Sequence, residues 1–333
     1  MEMPGRTGHR DPVDPTRHLI PGRPHLHPAT LMADCGAIGR RNHSVWMPTT
    51  RLGDAEGMHD FAGKVALVMG AACPPEIGRA VAVRLARAGA DVACADRVEV
   101  GHPDSACASQ EALDATVEAV RAEGQAALRL EADVADAVQV NEAVERCAKE
   151  LGRLDLVVNV AGGLGPEMGW APLLELSESS WRRSTDVNLT GAFLVAQAAG
   201  RQMVEQGDGG SIVLLSSYAT VAADVGTSAF AAAKAGVDRL VSAFAMELGP
   251  HQIRVNGVRP LGVDPDATDS GHPYLEQTVA QSGGDRSQWV QSKIALNRLQ
   301  DPDETAAVIA FLLSDEASFI TGECITVAGG SGW

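Results

Sequence analysis

Residues 64–96 read KVALVMGAACPPEIGRAVAVRLARAGADVACAD, and this stretch decides the fold. Its two ends, 64–70 and 91–96, are short apolar runs, which are typical of strands buried on both faces of a parallel sheet. A turn containing glycine and proline, followed by an amphipathic helix ending near Gly89, separates the two runs. The stretch therefore predicts a strand–helix–strand unit.

The same alternation continues to the end of the chain. Further apolar runs predict strands at 127–130, 154–160, 211–217, 253–258 and 324–327. Amphipathic segments predict helices at 109–123, 136–151, 179–206, 228–248 and 301–313. Seven strands joined by right-handed crossovers predict an α/β fold, a doubly wound Rossmann-type parallel sheet with helices on both faces, as one domain over residues 58–333.

The first 57 residues have a different composition. They hold 7 of the 17 prolines and 5 of the 9 histidines, and they show neither a helical nor a strand period. Because frequent proline removes backbone donors and blocks helix growth, residues 1–57 are predicted to form an irregular arm. Met58, where the regular pattern begins, is an alternative start of the natural chain.

The charge and cysteine content exclude several function classes. The chain has 43 acidic against 27 basic residues, a net charge of −16, which argues against nucleic acid or an anionic membrane as partner. Its six cysteines form no C-x-x-C pair, so we expect neither a metal site nor a disulfide framework. Without a membrane-spanning run or a secretory signal, we expect a cytoplasmic protein acting on a small molecule.

The turn after the first strand is a candidate phosphate-binding loop. It keeps Gly70 directly after the strand, with Ile77 and Gly78 at the start of the helix. Residues 74–76, however, are Pro-Pro-Glu, so a plain strand-to-helix turn is the alternative interpretation. Asp96 ends the second strand, where a carboxylate can bind a ribose 2′-hydroxyl and repel a 2′-phosphate. Asp96 therefore predicts NAD as the cofactor, and the neighbouring Arg97 leaves NADP as the alternative. The other interpretation is that Asp96 only caps a turn.

From about residue 61 to 330 the chain resembles the short-chain dehydrogenase/reductase family. The resemblance rests on ordered motifs: Asp133-Val134, Asn159-Val160-Ala161-Gly162, Asp186-Val187-Asn188, Ser217, Lys234, Arg254-Val255-Asn256 with Pro260, and Phe319-Ile320-Thr321-Gly322. It implies that Asp133 and Val134 contact the adenine and that the 159–162 segment lines the cofactor site. It also implies that Pro260 and Val263 lie at the nicotinamide, and that the family's usual homodimer or homotetramer forms here.

The resemblance also assigns catalytic positions. Asn188 would hold a relay water, Ser217 would orient the substrate, and Lys234 would bind the cofactor ribose and lower the pKa of a tyrosine four residues before it. The residue at that position is Phe230, which has no proton to give. The chain would thus be an atypical member of the family.

Other residues must then supply the proton. Tyr218, next to Ser217, is the nearest candidate, and Asp224, His272 and Tyr274 are on segments expected to rim the pocket. The ordinary interpretation of each is a loop or wall residue. Further departures from the family are Met69, Val160, Leu261 and Pro265. Together they suggest altered cofactor geometry, with cofactor binding weakened or lost.

The substrate side is predicted to be apolar. Phe230 would form an aromatic wall suited to a bulky or aromatic molecule, and the long segment at about 261–300 would form a substrate lid. Three functions follow: an NAD-dependent oxidoreductase acting on a secondary alcohol or ketone with an atypical proton donor, a non-redox enzyme catalysing dehydration, isomerisation or cyclisation, or a catalytically silent binding subunit.

Overall fold

A computed structural model describes residues 59–72, 77–98, 109–165, 168–222, 224–263, 279 and 284–331. The chain divides into two units, 1–54 and 55–333, and all described residues belong to the second. The predicted arm lies outside the described residues, so the arm and its boundary at residue 57 stay predictions. None of the helices in the described part is both long and apolar enough to cross a membrane.

The seven predicted strands are present and form one parallel sheet. They are β1 (Val65–Met69), β2 (Asp91–Asp96), β3 (Ala127–Glu131), β4 (Leu156–Asn159), β5 (Gly210–Leu215), β6 (Ile253–Pro260) and β7 (Cys324–Val327). Their order in the sheet is β3-β2-β1-β4-β5-β6-β7. This is the order of a doubly wound sheet, and it confirms the predicted fold class.

Helices connect these strands. They are α1 (Ile77–Arg87), α2 (Gln110–Ala122), α3 (Ala137–Leu151), α4 (Glu178–Thr185), α5 (Gly191–Gln206), α6 (Ser228–Leu248), α7 (Arg286–Lys293) and α8 (Pro302–Leu313). Side chains that accept backbone N–H groups begin several of them. At α8, Asp301 and Glu304 form a capping box with Pro302 in the first turn, as the Asp-Pro pair predicts.

The prediction of one continuous helix over 179–206 is wrong at its centre. A π-helical turn, Asp186–Thr190, separates α4 from α5. The Asn188 side chain donates from Nδ2 to the Ser184 carbonyl at 3.1 Å, and so occupies an acceptor that the regular helix would give to a backbone N–H. The π turn therefore sets Asn188 on the inner side of the helix, where it is 1% exposed.

The core occupies both faces of the sheet. On β1, Val65, Leu67 and Met69 pack into the apolar cluster that includes residues of α3, α5 and α6. The alternate residues Ala66 and Val68 pack into the opposite cluster, with residues of α1, α2 and α8. Because consecutive side chains of a strand point to opposite faces, burial on both sides requires a continuous apolar run, as the sequence shows.

Candidate active site

The predicted site residues converge on the carboxyl edge of the sheet. Gly70 follows β1, Asp96 ends β2, Asn159 ends β4, Pro260 ends β6, and Ser217 lies two residues beyond β5. The chain winds outward through β2 and β3 on one side of β1 and through β4 to β7 on the other, so the order reverses between β1 and β4. A crevice at such a reversal is where doubly wound sheets bind ligands.

The backbone of the turn after β1 is closely packed against α1 and β4. Gly70 has a φ of +90°, and a Cβ there would overlap the backbone nitrogen of Ala161. A Cβ on Gly78, in the first turn of α1, would overlap the Gly70 carbonyl oxygen. The β1 turn, the start of α1 and the end of β4 are therefore in direct contact, with no space for side chains. Residues 73–76, which include the Pro-Pro-Glu segment, lie outside the described residues.

Asp96 links this turn to β2. Its Oδ2 accepts a hydrogen bond from the Ala72 backbone nitrogen at 2.7 Å, and its Oδ1 accepts one from the Arg97 nitrogen at 2.8 Å. Arg97 Nη1 lies 3.5 Å from Asp133 Oδ2, and Asp133 Oδ1 accepts a hydrogen bond from the Ala135 nitrogen. Asp96 therefore ties the turn after β1 to the end of β2.

Asn188 clamps the loop after β4. Its Nδ2 donates to the Gly163 carbonyl at 2.9 Å, and its Oδ1 accepts from the Gly163 nitrogen at 3.0 Å. Gly162 has a φ of +147°, and a Cβ on it would lie 2.6 Å from Asn188 Oδ1 and 3.1 Å from Lys234 Nζ. Asn188 Oδ1 and Lys234 Nζ therefore both lie against Gly162, where a side chain would not fit. Nearby in the chain, Asn159 is buried, and its Oδ1 has no partner among the described atoms.

Ser217 begins a 3₁₀ turn, Tyr218–Thr220. Its Oγ accepts a hydrogen bond from the Ala219 nitrogen at 3.1 Å, which leaves the hydroxyl proton to be donated elsewhere. Tyr218 is buried, and within the described residues its hydroxyl makes no hydrogen bond to Ser217 or Lys234. The structure therefore places Tyr218 beside Ser217 in the chain without joining the two side chains.

Lys234 and Phe230 lie one turn apart on α6. Lys234 is 3% exposed, and its Nζ donates to the Leu215 carbonyl at the end of β5, at 2.7 Å. The same Nζ lies 5.7 Å from the centroid of the Phe230 ring. Burial lowers the pKa of Lys234 to about 8, and the Asp238 carboxylate only partly opposes that effect.

The segment after β6 carries the predicted nicotinamide contacts. Pro260 pairs with Val327 of β7, and Val263 forms a parallel bridge with Gln300. Gln300 donates from Nε2 to the Leu261 carbonyl at 2.7 Å, a bracing role that no motif in the sequence marks. Residues 264–278 and 280–283 lie outside the described residues, so about half of the predicted lid, including Pro265, His272 and Tyr274, is not placed.

The described end of that lid is α7. Lys293 Nζ lies 3.7 Å from Asp224 Oδ1, which joins α7 to the loop before α6. Asp224, a candidate proton donor, is thus in an ion pair with Lys293. Within the described ranges, the side chains of His, Cys, Asp and Glu form no group of three that could hold a metal ion.

Comparisons with known proteins agree with this geometry. The family described as Enoyl-(Acyl carrier protein) reductase matches residues 70–331. An uncharacterized oxidoreductase of Mycobacterium tuberculosis is 37% identical over 276 residues, 80% of this chain and 96% of the relative. The (-)-trans-carveol dehydrogenase of Rhodococcus erythropolis is 33% identical, over 81% of this chain and 97% of the relative. The crystal structure of carveol dehydrogenase from Mycobacterium avium in complex with NAD superposes with a TM-score of 0.72 at 32% identity, covering 82% of this chain and 99% of that one.

Proposed function

The chain belongs to the short-chain dehydrogenase/reductase family, and on that premise we propose that it is an NAD(P)-dependent oxidoreductase. It interconverts a secondary alcohol and a ketone of a bulky, largely apolar small molecule. The observation that carries the proposal is the convergence at one sheet edge of the glycine turn, the Asn188 clamp and the Lys234 ammonium group. One relative named as an oxidoreductase and another named as a dehydrogenase support the same reaction class.

The cofactor side fits a dinucleotide. Gly70 and Gly78 allow the backbone after β1 to pack directly on the start of α1, and the N-terminus of α1 would face a pyrophosphate. Asp96 is at the end of β2, where a carboxylate would bind a ribose hydroxyl and its negative charge would disfavour a 2′-phosphate, so NAD is the proposed cofactor. When bound, the nicotinamide donates or accepts the hydride.

The remaining cofactor contacts are proposed from the family motifs. Ile77, Arg97, Asp133 and Val134 would surround the adenosine half, and Asn159, Ala161, Gly162, Lys234, Pro260 and Val263 the nicotinamide half. Two observations support this assignment: the buried Asn159 Oδ1 has no partner among the described atoms, and Lys234 Nζ lies close to Gly162. Both are at the end of β4, beside the reversal of strand order.

The substrate side combines one donor with an apolar wall. Ser217 keeps a hydroxyl proton for the substrate oxygen, and Phe230, at the position of the family's catalytic tyrosine, offers only a ring. Leu173, Leu174 and Val225 are exposed on segments that the Ala171–Gly226 backbone hydrogen bond joins. Exposed apolar side chains beside a site favour an apolar ligand.

One observation favours a second candidate function. Phe230 cannot protonate a substrate oxygen, so the same pocket could polarise a carbonyl for dehydration, isomerisation or cyclisation without hydride transfer. Formation of product in the absence of any cofactor would identify this second function.

The test is a cofactor titration followed by a turnover assay. We expect NADH to bind the purified protein more tightly than NADPH, and cyclic and aromatic ketones to consume NADH with one alcohol formed per NADH. The Gly165→Ala variant serves as a matched control, because a Cβ there meets no atom within 4 Å. NADH binding without any alcohol product would contradict the oxidoreductase proposal.

The oligomer is also a proposal. Ala232, Ala235 and Met246 are exposed on α6, and this face of small and apolar residues would allow close approach of a second copy. Light scattering coupled to gel filtration should give a homodimer or homotetramer, and a monomer would contradict the proposal.

A further inference from the structure

The turn after β1 is held by hydrogen bonds from two other segments of the chain. Towards β2, the Ala71 nitrogen donates to the Ala95 carbonyl at 3.1 Å, and the Ala72 nitrogen donates to Asp96 Oδ2 at 2.7 Å. From α2, the Thr116 hydroxyl donates to the Ala71 carbonyl at 3.0 Å. Ala71 is 0% exposed and Thr116 is 1% exposed, so neither end of this last hydrogen bond is open to solvent.

The Thr116 hydroxyl has two acceptors within reach but only one proton to donate. The second acceptor is the Ala112 carbonyl, one helical turn earlier, at 3.2 Å. That carbonyl lies inside α2, where regular helix geometry gives it a backbone N–H partner. The Ala71 carbonyl lies outside the helices and strands, and in the described part of the chain it accepts a hydrogen bond from Thr116 alone. The hydroxyl proton is therefore needed at Ala71.

The sequence that follows the turn explains why a donor from another segment matters. Pro74 and Pro75 carry no backbone N–H, so neither of them can donate to the Ala71 carbonyl. A buried carbonyl that lacks a donor costs about as much free energy as a lost hydrogen bond. The threonine hydroxyl from α2 thus supplies a donor that the proline pair cannot supply.

The turn lies where a doubly wound sheet binds the phosphates of a dinucleotide. It connects β1 to α1 at the sheet edge where the strand order reverses between β1 and β4. In such sheets the pyrophosphate binds at this turn, against the N-terminus of the helix that follows. A Cβ on Gly78 would lie 3.0 Å from the Ala71 Cα, so the backbone of Ala71 packs directly on the first turn of α1. A shift of Ala71 therefore changes the surface that faces the pyrophosphate.

We propose, on the basis of the NAD(P)-dependent function proposed above, that Thr116 is a positioning residue for the cofactor. Its hydroxyl holds the Ala71 carbonyl and keeps the turn after β1 in the conformation that receives the pyrophosphate. Thr116 acts through the turn and not by contact with the cofactor. Without the hydroxyl, the Ala71 carbonyl can gain a donor by turning towards water, and that conformation does not bind. The apparent affinity then falls with the fraction of molecules in the competent conformation.

The decisive experiment measures the affinity for ADP-ribose, which carries the pyrophosphate but no nicotinamide, and for NADH. Thr116→Val keeps the branched shape of the side chain and removes the hydroxyl, so we expect the Kd of both ligands to rise by about tenfold. Thr116→Ser keeps the hydroxyl, and both Kd values should stay within about threefold of the wild-type values. At saturating NADH, kcat for ketone reduction should fall by less than about twofold in either variant, since the loss is in cofactor binding.

A matched control separates positioning from a general loss of stability. Ser211 is 2% exposed at the amino end of β5, on the opposite edge of the sheet, and its hydroxyl donates to the Leu312 carbonyl at 3.3 Å. Ser211→Ala removes a buried hydroxyl that also bonds a backbone carbonyl, and the affinity for ADP-ribose should not change. If Thr116→Val does not fold, Thr116→Ala and Thr116→Ser give the same comparison, because they differ from each other only in the hydroxyl.

Three results would overturn the inference and leave the oxidoreductase function in place. The first is wild-type affinity for ADP-ribose in Thr116→Val. The second is an equal loss in Thr116→Val and Thr116→Ser, which would assign the effect to side-chain packing. The third is an equal loss in Ser211→Ala, which would assign it to general stability. If the wild-type protein binds neither NADH nor ADP-ribose, the proposed cofactor function itself fails, and the inference fails with it.

Discussion

The two halves of the candidate site are built in opposite ways. Around the β1 turn, Gly70 and Gly78 are in backbone contact, and both oxygens of Asp96 already accept backbone N–H groups. Around α6, the Lys234 side chain makes one hydrogen bond within the described part of the chain, and the Phe230 ring has no hydrogen-bond donor to offer. The first region can pack this closely only because its glycines have no side chains. The second region carries N–H donors that a bound ligand would use. Substitutions should therefore damage structure in the first region and change chemistry in the second.

The largest effect is expected from Gly78→Ala. The added Cβ would overlap the Gly70 carbonyl oxygen, and because both atoms belong to packed backbone, the β1 turn must shift. We expect a loss of about 3–5 kcal/mol in the free energy of unfolding, measured by urea denaturation, together with loss of NADH binding. Gly165→Ala should leave both unchanged. Wild-type NADH affinity in Gly78→Ala would show that the turn does not form the cofactor site.

A smaller effect of opposite sign is expected in the second region, for Lys234→Met. Removing a buried cation should raise the free energy of unfolding at pH 7 by about 2 kcal/mol, after allowing for the lost hydrogen bond to Leu215. NADH binding should weaken at the same time, because a thioether cannot donate a hydrogen bond to a ribose hydroxyl. Thermal unfolding of both proteins gives the comparison.

The pH dependence of that difference tests its cause. The folded-state pKa of Lys234, about 8, lies below its usual 10.5, so below pH 8 both states hold the proton and the full cost is present. Between these values only the unfolded state holds it, so wild-type stability rises with pH and the gain from Lys234→Met shrinks. Lys149→Met, at an exposed position, is the matched control. A gain that is constant with pH would contradict a charged, buried Lys234.

The smallest effect is expected from Asp96→Asn, which returns to the first region. The amide keeps one acceptor oxygen, but its NH₂ group must face one of the two backbone N–H groups that Asp96 binds. We expect a loss of about 1 kcal/mol in the free energy of unfolding and a fall in the preference for NADH over NADPH. Parallel titrations of the two cofactors measure that preference. An unchanged ratio would mean that Asp96 only holds the turn.

Local patterns explain why much of the fold could be predicted. A strand buried on both faces needs a continuous apolar run, and α8 carries its start signal in Asp301-Pro302, so these elements are encoded in a few neighbouring residues. The π turn could not be predicted, because it depends on hydrogen bonds from Asn188 to Ser184 and to the distant Gly163. Helical periodicity over 179–206 carries no information about such contacts.

The candidate site divides along the same line. The amino-acid sequence alone determines that a strand–helix–strand sheet forms and that Phe230, not tyrosine, precedes Lys234 by one helical turn, since both depend on residues near one another in the chain. The tertiary structure alone decides that Lys234 donates a hydrogen bond to the Leu215 carbonyl and that Lys234 and Asn188 both lie against Gly162. Those partners come from separate segments, and only the packing of α6 and the π turn against the sheet brings them together. The same packing buries the ammonium group and lowers its pKa, so the acidity of Lys234 is a property of the fold.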